Sequence, residues 1–168
     1  IKLCVKSSQS DSSGTLLESQ IQPLPLKRGS LELTKTVNSL EVLENQAVFS
    51  LSNIPDRPGI AAQIFEKLSE ASINVDLIIQ ATNDGNKNDI TFTVGELEVK
   101  KTAEQCELIT SQLGGEFNLK TNMTKLSIQG AGIMGRPSVS ADLFDTLSQA
   151  NINVRLIATS EIKVSCVI

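Results

Sequence analysis

A short segment of the chain carries the residue types that bind a small zwitterion. The segment has the sequence NIPDRPGIA, from Asn53 to Ala61, and predicts a tight turn that leads into a helix. The first amides of a helix lack partners and carry the positive end of its dipole, so those from Gly59 to Ala61 suit a carboxylate. Asp56 on the turn and Asp76 near the next strand are candidate anions for an ammonium group. Together these features predict a site that selects a free amino acid.

The same residues also have a purely structural interpretation. Asp56 would then cap the helix, and the Pro58-Gly59 pair would only shape the turn. Asn74 and Asn153 would be turn residues between a helix and a strand. Both interpretations stay open at the level of sequence.

The composition excludes several other kinds of site. The chain has no His, which removes imidazole-based acid–base chemistry, Ser-His-Asp and Cys-His triads, and imidazole zinc sites. Its three cysteines, Cys4, Cys106 and Cys166, are far apart, which argues against a disulfide scaffold and favours a reducing compartment. Gly130-Ala131-Gly132 lacks the third glycine of a dinucleotide-binding loop. No residue pattern in the chain indicates catalysis.

The charge balance and the hydropathy pattern disfavour nucleic acids and membranes as partners. There are 15 Lys plus Arg against 19 Asp plus Glu, a net charge of −4, and no Trp or Tyr to stack on bases. No stretch approaches the roughly 18 consecutive apolar residues of a membrane span. We therefore expect a cytoplasmic protein, or one of the plastid stroma if the source is a plant. Because the chain starts at Ile1 and ends in an apolar run, we expect a fragment of a longer protein.

An internal repeat with a period of 79 residues is the most informative feature of the sequence. Residues 57–80 match residues 136–159 without a gap, with 12 identities in 24 positions. The shared residues include Arg-Pro at the start and Ile-Asn-Val near the end, which chance similarity between amphipathic helices would not preserve. The copies differ at the candidate site, where Gly135, Ser138 and Arg155 stand in place of Asp56, Gly59 and Asp76.

The elements of each copy follow from the hydropathy period. Residues 47–51 alternate as a strand, and a helix of about 14 residues follows from Pro58 with one apolar face. Residues 74–81 suggest a buried central strand, residues 90–94 its hairpin partner, and residues 103–113 a second helix that ends at Gly114-Gly115. A short strand near Phe117 completes the copy. The prediction is an α+β fold of tandem ferredoxin-like β-α-β-β-α-β units with antiparallel sheets.

The other elements follow from the same analysis. The second copy repeats the order with strands from Lys125 and Asn153, a helix from Pro137 and a last strand at residues 162–166. Residues 33–43 suggest a strand that forms a hairpin with residues from Ala47 through a turn at residues 44–46.

Several runs of the sequence resemble the regulatory part of aspartate kinases. Residues 53–65, 73–80 and 90–94 resemble the first ACT unit of that family. Residues 125–132 and 158–165 resemble its second unit, with Ser-Glu-Ile-Lys at residues 160–163 as a specific signature. Val5-Lys6-Ser7-Ser8 with Gly14-Thr15-Leu16 is similar to the segment that joins the kinase domain to the regulatory part.

The resemblance implies a domain organisation and a function. Residues 1–18 would be the end of the kinase domain or the hand-over segment, 19–35 a linker, 36–120 the first ACT unit and 121–168 an incomplete second unit. The parent enzyme would phosphorylate aspartate with ATP and Mg, under feedback control by lysine, threonine or both. This chain would carry no catalytic residues and no cofactor. It would form a homodimer or pair with another ACT-bearing chain, and bind its effector where the first unit meets the second unit of a partner.

The resemblance also implies a set of effector-binding residues. Those of the first unit are Asp56, Gly59, Ile60, Ala61, Asn74, Asp76 and Gln80. Those of the second unit are Ser138, Ser140, Asn153, Val154, Ser160 and Glu161. The chain departs from the family pattern at Ile133, often Met, and at Ser138, often Gly, where the added side chain lies at a position of close ligand approach.

Two other functions are compatible with the sequence. One is an ACT-type dimerisation module that binds no ligand. The other is the regulatory ACT region of a different biosynthetic enzyme, such as an acetolactate synthase or a dehydrogenase of serine synthesis, against which the Ser-Glu-Ile-Lys run argues.

Overall fold

The chain forms two compact units, residues 1–32 and 33–168. A computed structural model describes residues 2–5, 15–18, 36–83, 85–133 and 135–168. In the first unit, strands β1 (Lys2–Val5) and β2 (Thr15–Glu18) pair antiparallel, with Lys2 opposite Glu18. The predicted linker at residues 19–35 and most of the predicted hand-over segment lie outside the described residues.

The second unit is an antiparallel sheet with three α-helices, which confirms the predicted α+β class and the ferredoxin-like element order. The sheet order is β4-β5-β3-β6-β8-β7. Its elements are β3 (Ser39–Pro55), α1 (Ile60–Glu70), β4 (Ile78–Asn83), β5 (Lys87–Gly95), a 3-10 turn (Glu96–Glu98), α2 (Val99–Leu113), β6 (Glu116–Gln129), α3 (Pro137–Gln149), β7 (Leu156–Thr159) and β8 (Lys163–Val167).

Two long strands carry both sequence repeats in one sheet. The end of β3 pairs with the start of β6, with Ser52 opposite Glu116, and the start of β3 pairs with the end of β6, with Ser39 opposite Gln129. The predicted hairpin between residues 33–43 and the strand from Ala47 is therefore wrong. Both halves of β3 find partners on β6, so the strand continues through an irregularity around Asn45, whose φ is 55°. The boundary predicted between residues 120 and 121 falls inside β6.

The first repeat contains the larger core. The apolar side of α1 and the inner side of α2 cover a row of strand residues in which Phe49 and Phe92 stack with ring centroids 5.7 Å apart. The predicted apolar face of α1 is confirmed, with Ile60, Ile64 and Leu68 buried. The helix has 11 residues rather than about 14, because it begins after Pro58 and Gly59.

The strand predicted at residues 74–81 is neither buried nor central. Residues 73–77 have no regular structure, and β4 is an outer strand that begins at Ile78, which is 52% exposed. The apolar residues of this run pack from an irregular segment and not from a central strand. Val75 packs on the first core, and Leu77 packs in a cluster between the repeats. That cluster also contains Leu156, the residue that matches Leu77 in the second repeat.

The second repeat has a smaller core, covered by α3. Ile128, Ile133 and Val164 are buried there against apolar residues of the helix. The strand predicted from Asn153 begins only at Leu156, and the last strand begins after Ile162, which is exposed.

The Gly130-Ala131-Gly132 run has a steric explanation. A Cβ on Gly130 would lie 2.2 Å from the carbonyl oxygen of Thr36, and one on Gly132 would lie 2.5 Å from the Cα of Thr36. The two glycines therefore allow the segment before β3 to pack closely on the end of β6. Among the described helices, none has the length and apolar character needed to cross a bilayer.

Candidate functional site

The turn between β3 and α1 is held by the hairpin that joins β4 and β5. The Asp56 N–H donates to the Asn86 carbonyl at 2.8 Å, and the Asn53 N–H donates to Asp89 Oδ1 at 3.0 Å. Asn88 Nδ2 donates to Asp56 Oδ1 at 2.8 Å. The Asp56 carboxylate is therefore fixed by a side chain of the neighbouring strand and does not cap the helix, since α1 has no side-chain cap.

Helix α1 opens with unpaired amides. Its N-cap is Gly59, whose φ of 92° lies in the left-handed region that favours glycine. The Ile60 N–H donates to the Arg57 carbonyl at 3.2 Å. The next two amides, of Ala61 and Ala62, have no backbone acceptor among the described residues. This helix start presents free N–H groups on the same turn as the Asp56 carboxylate.

Gln80 lies at the same end of the first repeat. It is exposed on β4 opposite Ile90, two residue pairs along the strands from the pair of Thr82 and Asn88. In this geometry Gln80 and Asn88 are diagonal neighbours on adjacent strands, about 7–8 Å apart. Five of the predicted residues, Asp56, Gly59, Ile60, Ala61 and Gln80, therefore lie at one end of the repeat, although Ile60 is buried in the core.

Asp76 and Asn74 lie at the opposite end. The Asp76 N–H donates to the carbonyl of Thr93, which pairs with Val48 on β3. Asp56 follows the far end of the same strand, roughly 25 Å away at about 3.3 Å per residue. A single chain therefore does not bring the two carboxylates together around one ammonium group, as the sequence had suggested.

Asp76 has a partner within the chain. Its carboxylate forms an ion pair with Lys125, a residue of β6 that is only 4% exposed, whereas the Asp76 side chain is 41% exposed. The Asn74 N–H donates to Glu98 Oε1 at 3.0 Å. Both residues line an open hollow of about 900 Å³ at the point where β3 passes from one repeat to the other.

The predicted residues of the second repeat lie in three places. Ser140, Ser160 and Glu161 line a hollow of about 330 Å³ at the start of α3. Ser138 lines a separate groove of about 380 Å³ on the side of that helix. Asn153 and Val154 line a third hollow, also of about 380 Å³, near the other end of α3.

The start of α3 differs from that of α1. Pro137 is the first helical residue, the N-cap Arg136 has a φ of −121°, and the left-handed residue is Gly135, with a φ of 73°. Ser138 is therefore an exposed residue within the helix. The backbone of Ser138 is therefore helical and does not have the left-handed conformation of Gly59.

Two residues of these sites were missed by the sequence analysis, Asn88 and Lys125. The sequence analysis began the hairpin strand at residue 90, although Asn88 begins the alternating row that continues with Ile90 and Phe92. A polar residue in a buried apolar row was the available signal. Lys125 had no comparable signal, because only the tertiary fold brings it to Asp76.

The cysteines of the second unit are buried thiols. Burial raises the pKa of Cys106 from 9.0 to about 12, and it also raises the pKa of Cys166. No group of three or more Cys, Asp or Glu side chains that could hold a metal ion occurs within the described ranges.

Comparison with known proteins shows the same architecture. A sequence model of the ACT domain family matches residues 52–107 and 126–168, more than half of the chain. The regulatory subunit of aspartate kinase from Thermus thermophilus, in its ligand-free crystal structure, is 34% identical with a TM-score of 0.73, over 79% of this chain and 88% of that one. The crystal structure of aspartate kinase from Synechocystis is 37% identical with a TM-score of 0.78, over 100% of this chain and 30% of that one.

A curated relative shows how much of a longer protein this chain matches. The aspartokinase of Thermus thermophilus is 34% identical over an alignment of 170 positions, which covers 100% of this chain and 40% of the relative. The chain thus spans less than half of the curated relatives that it matches. It belongs to the ACT domain family, among the regulatory regions of aspartate kinases.

Proposed function

We propose that this chain is an allosteric module that binds lysine, threonine or both at the start of α1 and so regulates an aspartate kinase. One observation carries the proposal: the free amides of Ala61 and Ala62 and the fixed carboxylate of Asp56 lie on the same turn. The amides suit an α-carboxylate and the carboxylate suits an α-ammonium, the two charges that every free amino acid carries. The exposed Gln80 adds a polar group for the rest of the ligand.

The parent protein in this proposal is a cytoplasmic or plastid enzyme that phosphorylates aspartate. Its ATP, Mg and aspartate would be held by another part of the protein. Effector binding would change the relative stability of the active and the inhibited arrangements of that enzyme.

Titration of the 168-residue chain with L-lysine and L-threonine tests the proposal. We expect saturable heat in calorimetry and a rise in Tm for at least one of them, and no response to the D-enantiomer. Asp56→Asn keeps the shape of the side chain and removes its charge, and it should weaken binding about tenfold or more. Asp145→Asn on the exposed face of α3 is the matched control and should bind as the wild type does. An absence of response to both amino acids would refute the proposal.

A specific observation favours pairing of copies as a second function. Ile78 and Ile157 occupy matching positions in the two repeats, lie at the start of the two outer strands of the sheet, and are 52% and 47% exposed. Exposed apolar residues on open sheet edges favour edge-to-edge association. Sedimentation equilibrium should therefore detect a dimer that Ile78→Lys dissociates. A dimer that is indifferent to amino acids would identify a module that only dimerises.

A further inference from the structure

We propose that Asn88 is a positioning residue for amino-acid binding, which it supports by holding the Asp56 carboxylate in the orientation that receives the ligand's ammonium group. The inference rests on the proposed function. Asn88 would not touch the ligand, since it is only 5% exposed, and would act through Asp56 alone.

The contact between the two side chains is the first support. Asn88 Nδ2 donates to Asp56 Oδ1 at 2.8 Å, from a strand residue to an exposed residue of the turn. An exposed aspartate is otherwise free to rotate and to point into water. A buried amide with a fixed position restricts that rotation, so the carboxylate is ordered before a ligand arrives.

The cost of burying Asn88 is the second support. Its side chain lies in the row of β5 that continues with Ile90, Phe92 and Val94, all of which are buried in the core. Asn88 Oδ1 is buried and has no hydrogen-bond donor among the described residues. An apolar side chain would fill this position without leaving a buried acceptor unpaired. Packing therefore does not account for an amide here, whereas the hydrogen bond to Asp56 does.

The second repeat lacks both partners of this contact. Ile90 lies opposite Leu51 on β3, and the Ile162 carbonyl accepts from the N–H of Gly130, which lies 79 residues after Leu51. By this sheet register, Ser-Glu-Ile at residues 160–162 matches Asn-Asp-Ile at residues 88–90, with seven residues fewer before the last strand of the second repeat, and Gly135 takes the place of Asp56. Ser160, in the place of Asn88, is exposed, and its hydroxyl lies 3.5 Å from the Lys163 carbonyl. A buried amide is thus present in the repeat that has a carboxylate to hold and absent from the one that does not.

A double-mutant cycle on the 168-residue chain tests the inference. Calorimetric Kd values for L-lysine and L-threonine would be measured for the wild type, Asn88→Leu, Asp56→Asn and the double variant. We expect each single substitution to weaken binding about tenfold, and the double variant to bind no more weakly than Asp56→Asn. Non-additivity of this kind is the readout that a merely structural role would not produce.

Two further variants complete the experiment. Asn88→Ala removes the donor without adding bulk or charge, so it should also lose about tenfold in affinity if Asn88→Leu fails to fold. Asn83→Leu, an exposed asparagine at the end of β4, is the matched control and should change Kd less than about twofold.

The outcomes separate this inference from the proposed function. Wild-type affinity in Asn88→Leu or Asn88→Ala, or fully multiplicative losses in the double variant, would overturn the role of Asn88 and leave the amino-acid site intact. A wild-type chain that binds neither amino acid would overturn both.

Discussion

The helix starts of the two repeats have the same sequence frame and different backbones. In the first repeat the left-handed residue Gly59 follows the proline, and α1 begins after it. In the second the left-handed residue is Gly135, which precedes Arg136, and α3 begins at Pro137 itself. Serine at position 138 is therefore compatible with the helix, because the residue with a positive φ in the second repeat is Gly135 and not Ser138. Aligned positions of a duplicated unit need not share a conformation or a role.

The two repeats also differ in charge, both at the helix start and at the opposite end of the strands. The first repeat has Asp56 held by Asn88, and Asp76 joined to Lys125. The second has Gly135 and the exposed Arg155 at the matching positions. At these matching positions only the first repeat has carboxylates, and each is held by a partner, Asp56 at one end of the strands and Asp76 at the other.

The largest effect that would separate the repeats is expected at Asp76. Asp76→Asn leaves the Lys125 ammonium without a counter-charge, which should lower the free energy of unfolding by about 3 kcal/mol, the lower end of the range for a broken buried pair because Asp76 is 41% exposed. Arg155→Gln, at the matching exposed position, should change it by less than about 0.5 kcal/mol. Urea unfolding at neutral pH measures both.

Removal of the other partner of the ion pair, Lys125, should cost less. Lys125→Met leaves Asp76 unpaired but 41% exposed and able to bind water, so its cost should be clearly smaller than that of Asp76→Asn. Equal costs for Asp76→Asn and Arg155→Gln would show that the ion pair does not stabilise the fold.

A pH-dependent effect is expected at Cys106 in the core of the first repeat. Its folded pKa of about 12 exceeds its ordinary value of 9.0, so the unfolded chain ionises first as the pH rises. The stabilisation is complete below pH 9 and is lost between about pH 9 and 12, with roughly 2.5 kcal/mol lost at pH 11. Chemical unfolding at pH 8 and 11 should show this loss in the wild type relative to Cys106→Val. A parallel decline in both proteins would contradict the assignment.

Alanine substitutions at Gly59 and at Gly135 should lower stability by similar amounts, although the two glycines occupy different positions in the aligned repeats. An alanine Cβ at Gly59 or Gly135 would meet no atom within 4 Å, so the cost is backbone strain alone. We expect Gly59→Ala and Gly135→Ala each to lower the free energy of unfolding by about 1–2 kcal/mol. Thermal unfolding of both variants measures this, and destabilisation of only one of them would contradict the assignment of a left-handed backbone to both glycines.

The smallest effect concerns Ser138, and its sign is informative. In a helix, Ser138→Gly should destabilise the protein by about 0.5 kcal/mol, because glycine loses more backbone entropy. If Ser138 shared the left-handed conformation of Gly59, the same substitution would instead be stabilising. Denaturant midpoints measured side by side with the wild type decide between the two signs.

The sequence predicted elements well where the pattern was local. The buried positions of α1 and the end of α2 at Gly114 followed from helical spacing and glycine alone. The strand predicted at residues 74–81 was wrong, because an apolar run records burial without recording whether the cover is a sheet, a helix or a loop. The hairpin before Ala47 was wrong because its first strand has its partner in β6, far away in the sequence.

The candidate site divides in the same way. The free amides of α1 and the proximity of Asp56 to them are consequences of a turn and a helix start, which neighbouring residues specify. The separation of Asp56 from Asp76, and the contacts of these residues with Asn88 and Lys125, depend on strand register across the sheet.

By itself the sequence determined the duplication, the class of fold and the helix start that suits a carboxylate, because each of these is encoded by residues close together in the chain. That both repeats share one sheet, and that Asp56 and Asp76 have Asn88 and Lys125 as partners, followed only from the tertiary structure. Such contacts form between side chains distant in sequence, and their geometry is fixed only when long strands pair in register.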